Sequence, residues 1–234
     1  MSKTTMRRSF WLLTSLVVAL SAAAQTVPPA RVELEYDLLR NGRVMAEVVE
    51  RLEHGNGAYQ LTETWKGKGM YALLGRAKRT SEGTLRADGP QPREYVDERS
   101  GRDTQRVSFD WSANTITRRY KGATRTEPVP ADTQDRLSFL LALSLRSQKG
   151  DPVSFHVADG RGMSRHTYKP NGRERVPTPA GEFDTLKLIR KNEGSGEVAE
   201  IWLAVDRSYL PVRIVVVEKD GTRYEHVATR ISQP

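Results

Sequence analysis

Cysteine is absent from all 234 residues. That excludes a disulfide scaffold, thiolate zinc and iron–sulfur sites, a cysteine nucleophile and a cysteine-linked lipid anchor. Histidine is scarce. His54, His156, His166 and His226 stand apart, and none takes the His-Glu-x-x-His spacing that sets two metal ligands one helical turn apart. No Gly-x-Ser-x-Gly elbow surrounds a serine, and Gly67-Lys68-Gly69 lacks the spacing of a phosphate-binding loop. Long hydrophobic runs are missing too: the stretch from Phe10 to Leu20 is roughly half what a hydrocarbon core of about 30 Å requires of a helix. These absences leave no metal, no cofactor and no recognisable catalytic constellation, so a non-enzymatic protein is the expectation.

What is present begins with an address. Lys3, Arg7 and Arg8 precede the Phe10–Leu20 run, which closes on Ser21-Ala22-Ala23-Ala24. Charge, apolar region and small-residue cleavage site thus occur in the order of a secretory signal peptide, with cleavage expected near Ala24. The reading is a signal peptide over residues 1–24 and an exported, periplasmic chain over 25–234 with no permanent membrane span. Losing residues 1–24 removes three of the 37 basic residues and none of the 29 acids, so the mature chain stays modestly basic. That balance suits anionic lipid headgroups or envelope polyanions, and export argues against nucleic acid.

The mature chain has a dominant period of two. Val32, Leu34, Tyr36 and Leu38 alternate with acids, Asn41-Gly42 marks a hairpin turn, and Val44, Ala46 and Val48 resume the alternation. A strand from Ala58 to Lys66 places Tyr59, Leu61 and Trp65 on one face, with Glu63 the polar exception. Further strands are expected at 78–85, 93–98, 105–111 and 115–120. Beyond the helix, others fall at 153–158, 164–168, 173–176, 183–190 and 197–205, with a closing hairpin of 212–218 and 223–229 around Asp220-Gly221. One segment breaks the period. Asp132 to Asp135 supply helix-start oxygens, and Leu137 to Leu145 is apolar nearly all round, as a helix buried on most sides must be. No linker or internal repeat divides the chain, so a single antiparallel β domain is expected.

Three separated elements in order, Asp135-Arg136-Leu137-Ser138, Thr178-Pro179-Ala180-Gly181-Glu182-Phe183, and Trp202-Leu203 followed by Leu210-Pro211-Val212 and Asp220-Gly221, resemble the bacterial exported family known as domain of unknown function 3108. The last arrangement is also similar to the lipoprotein carriers LolA and LolB. The resemblance implies a mainly β fold, an antiparallel incomplete barrel or half-barrel wrapped around one buried helix. It brings no catalytic residues, and a shared fold does not carry a function with it.

Two features read as candidate binding elements. Trp65 leads into Gly67, Gly69 and then Met70, Tyr71, Ala72, Leu73 and Leu74 before Gly75. The apolar stretch is either a short core helix, the commoner outcome, or a lid over the open side of the half-barrel. Arg136 could reach an anionic headgroup inside the concave face, though pairing with Asp132 or Asp135 is the commoner fate of such a residue. Together they suggest a carrier of a lipid, an acyl chain or a lipidated protein. The alternative is an envelope protein–protein interaction module with no cavity.

Overall fold

The alternation builds long strands joined mostly by tight turns. The computed structural model describes residues 27–192, 194 and 196–233; the expected signal peptide lies outside them. The first half is a meander of β1 (Arg31–Arg40), β2 (Arg43–Gly55), β3 (Ala58–Gly67), β4 (Arg76–Arg86), β5 (Gly89–Arg99), β6 (Gln105–Asp110), β7 (Thr115–Tyr120) and β8 (Ala123–Pro128). After the two-residue β9 (Gln134–Asp135) and the helix α1 (Ser138–Arg146) come β10 (Val153–Ala158), β11 (Met163–Thr178), β12 (Gly181–Asn192), β13 (Glu197–Ala204), β14 (Leu210–Val217) and β15 (Arg223–Ser232). Asn41 and Gly42 both take positive φ, 49° and 79°, the backbone that a two-residue hairpin matching strand twist needs.

All these strands join one sheet, in the order 8-7-6-5-4-3-2-1-15-14-13-12-11-10-9. Every pairing is antiparallel except β9 with β10. First and last strands meet in the middle, with Glu33 opposite Ser232. The sheet curls without closing. α1 lies in its hollow and touches β5 on one side and β10 and β14 on the other, while the β9 edge comes against β5. There the Gln134 amide donates to the Pro90 carbonyl at 2.9 Å. The half-barrel around a helix is therefore what the chain forms.

The inward phase of each strand carries the core. Val32, Leu34, Leu52, Leu61, Leu141, Leu145, Leu210 and Val212 form one part, and Leu143, Phe155, Leu188, Ile201 and Leu203 another on the far side of the helix. α1 is buried over Leu140 to Leu145, as its all-round apolar surface requires. Its start is fixed by Asp135. One carboxylate oxygen accepts the Leu137 and Ser138 amides at 2.8 and 2.9 Å, the other accepts the Ser81 hydroxyl at 2.6 Å, and the Ser138 hydroxyl accepts the Asp135 amide at 2.9 Å.

Two expectations are corrected. Gly69–Leu74 is a 3-10 helix, but not a core helix: Met70 is 77% and Leu73 96% exposed. Gly67 permits the fold-back, since a side chain there would stand 2.1 Å from the Tyr71 carbonyl oxygen. The segments 164–168 and 173–176 are one strand, β11, whose Pro170-Asn171-Gly172 interruption is a register shift and not a chain reversal.

Candidate functional site

α1 fills only part of the hollow. At the other part lies a cavity of about 360 Å³, within the range of small-ligand pockets. Leu38, Met45 and Val48 from β1 and β2, Ile214 and Val216 from β14, and Phe139 and Leu140 from α1 give it an apolar wall. The wall formed by β2 to β5 is different, because charged residues occupy the inward phase of those strands.

Glu50 and Glu63 stand directly opposite each other on β2 and β3, and both are more than nine-tenths buried. Glu63 is satisfied. Its Oε1 accepts the Trp65 indole N–H at 2.8 Å and an Arg79 guanidinium N–H at 2.9 Å. Asp97 on β5 accepts Arg99 through both oxygens, at 2.8 to 3.1 Å, and stands 3.4 Å from Arg79 Nε. Although burial opposes it, the Arg99 and Arg79 guanidiniums hold the Asp97 carboxyl below its ordinary range. Both arginines also lie over the Trp65 ring, 5.1 and 5.3 Å from its centroid. This is the geometry of a cation–π contact.

Glu50 is the exception in this network. Among the described residues it has no hydrogen-bond or ion-pair partner. Burial, reinforced by Glu63, raises its carboxyl from 4.5 to about 8, so at neutral pH it is an uncharged donor and acceptor facing the cavity. His226 on β15 also lines the cavity. Burial lowers its imidazole, with Glu63 opposing and Arg79 assisting, so it too is uncharged at neutral pH. Glu63 and Asp97 are engaged by guanidiniums. The groups left to receive a polar ligand atom are therefore Glu50, His226 and the Gln105 amide oxygen, which is buried without a partner. No group of three or more His, Asp or Glu among the described residues has the arrangement of a metal site.

The residues named from the sequence divide. Trp65 and Arg136 both line the cavity. Arg136 sits at its mouth and donates to Asp159 Oδ2 at 3.2 Å; the expected pairing with Asp132 or Asp135 does not form, because Asp132 binds His156 and Asp135 caps the helix. Met70, Tyr71 and Leu73 belong to the 3-10 helix Gly69–Leu74 at the end of β3 and do not line the cavity. Sequence reasoning missed Glu50, Arg79, Asp97, Arg99 and His226. The signal was available: each is a charged or titratable residue in the inward phase of an alternating strand, as Glu63 visibly is.

The family model described as "Protein of unknown function (DUF3108)" matches residues 31–227, and the chain belongs to that family. Solved structures similar to it include a "putative lipoprotein" from Parabacteroides distasonis, at 10% identity and TM-score 0.36, covering 89% of this chain and 96% of that one. Another is a "putative exported protein with YmcC-like fold" from Bacteroides fragilis, at 10% identity and TM-score 0.42, covering 88% and 97%. No curated protein matches significantly. Among the described residues no helix is long and apolar enough to cross a membrane.

Proposed function

We propose that this is an exported, periplasmic binding protein that holds an amphiphile in the hollow of its sheet without turning it over. Its apolar part would lie against β1, β14 and α1, and its polar end against Glu50. One observation carries the reading: a cavity between sheet and helix pairs an apolar wall with a buried carboxyl that has no protein partner. An unpartnered buried polar group costs about 1–3 kcal/mol, and a ligand that bonds to it recovers part of that cost. The test is equilibrium binding of decanoic acid, decanol and decylamine to the purified protein, followed by native mass spectrometry and calorimetry. Saturable one-site binding of at least one is expected, weakened roughly tenfold or more in Ile214→Trp, which fills the cavity. If none of the three binds saturably, the proposal fails.

A second reading, an envelope protein–protein interaction module, is favoured by β8. It is the outermost strand on its side of the sheet, exposed along most of its length, and an open edge can accept a partner strand.

A further inference from the structure

Of the large hydrophobic residues exposed among the described residues, Val44, Met70 and Leu73 gather at one end of the sheet. Val44 follows the β1–β2 turn. Met70 and Leu73 lie on the 3-10 helix beside it, joined by the hydrogen bond from Lys68 N–H to the Met45 carbonyl at 2.9 Å. Single exposed apolar residues need no explanation, but a projecting group does.

The charge at this end is equally unusual. Arg40 faces Arg43 across the β1–β2 register, and Lys66 faces Arg76 across β3–β4. Like charges directly opposite one another destabilise a strand pair. Among the described residues none of these four makes a close ion pair, although Glu47 stands opposite Lys66 across β2–β3 and the Arg40 charge helps to lower the Asp220 carboxyl. Lys68 competes for the nearby acids, binding both Asp37 and Glu47, and Glu98 stands opposite Lys78. Two like-charge pairs thus flank an apolar tip. The cavity lies towards the same end, where Leu38, Met45, Trp65, Arg99 and Tyr224 line it.

We infer that this end of the sheet docks on an anionic lipid bilayer, with Met70 and Leu73 entering the headgroup–acyl boundary and the Arg40/Arg43 and Lys66/Arg76 pairs seated on lipid phosphates. The chemistry is that of interfacial binding, in which apolar insertion and attraction to anionic headgroups act together. Such docking would bring the cavity towards the layer from which an amphiphile comes. The docking itself rests only on the exposed tip and its charges and stands independently of what the cavity holds.

The test is co-sedimentation of the purified protein with vesicles of phosphatidylcholine alone or mixed with phosphatidylglycerol. Binding is expected to the anionic vesicles, to fall with added salt, and to be weak on the neutral ones. Met70→Ser with Leu73→Ser should weaken it roughly tenfold or more, and Lys66→Gln with Arg76→Gln by several-fold. Arg175→Gln, at the far end of the sheet, should bind as the wild type does. All five side chains are on the surface, so thermal midpoints should hold and confirm folding. Equal sedimentation of the apolar double variant and the wild type would overturn the inference. So would absence of binding to either vesicle, which would leave an acidic protein as the partner of this end. Uptake of decyl amphiphiles without vesicles reports on the cavity separately.

Discussion

Glu50 and His166 are both buried titratable groups, and each makes stability depend on pH with opposite sign. The Glu50 carboxyl is raised from 4.5 to about 8. Below the lower value both folded and unfolded chains hold the proton and nothing is lost. Between the two values the unfolded chain has released a proton that the folded chain keeps, so stability falls as pH rises and levels off above about 8. His166 on β11 is lowered from 6.5 to about 3, chiefly by burial and then by Arg190. There the unfolded chain takes up a proton that the folded chain refuses, so stability falls as pH drops from 6.5 towards 3. Glu50→Gln keeps the shape and removes the alkaline loss. It should gain a few kcal/mol at pH 9 and little at pH 4, read from urea unfolding at each pH. An equal gain at both would mean that Glu50 is ionised in the folded protein. The alternation of β2 places Glu50 inward, where burial supplies most of the shift; what it does not show is that Glu63 stands opposite and adds to it.

Strands with one apolar face were readable with ends correct to a few residues, because burial of one face imposes the period of two. β8 was not, since Ala123–Pro128 is exposed along most of its length and so has no apolar phase to show. β9 is two residues long and owes its pairing to what surrounds it. The helix was legible as an apolar block, but its exact anchor was not. Four polar residues precede it, and only in three dimensions does Asp135 prove to be the one that reaches the Leu137 and Ser138 amides and the Ser81 hydroxyl on β4. Asp135 therefore ties the helix start to the opposite half of the sheet. Asp135→Ala would strand two buried amides and is expected to cost roughly 2–4 kcal/mol. Asp135→Asn keeps an acceptor for them and should cost less. Chemical unfolding of the two variants checks the order, and equal losses would show that the cap contributes through its charge alone.

For the whole molecule, the meander placed most strands beside their sequence neighbours, so most of the sheet order follows from short turns. The pairing that the sequence does not display is β1 with β15, which joins residues nearly 200 positions apart and makes one continuous sheet of two halves. This changes what the C-terminal strand means. Terminal segments usually tolerate removal because few contacts hold them. β15 instead has β1 on one side and β14 on the other, buries Ala228 completely, and supplies His226 and Tyr224 to the cavity. A chain ending at Thr222 would expose the facing edges of β1 and β14 at the middle of the sheet and leave the helix covered from one half only. It should lose its cooperative thermal transition and aggregate through the new edges. A single change on the outer strand, Arg125→Gln in β8, should alter stability by no more than about 0.5 kcal/mol. Calorimetry on both decides the matter: a truncated chain that still melts cooperatively near the intact protein's midpoint would mean that the halves fold without their central seam.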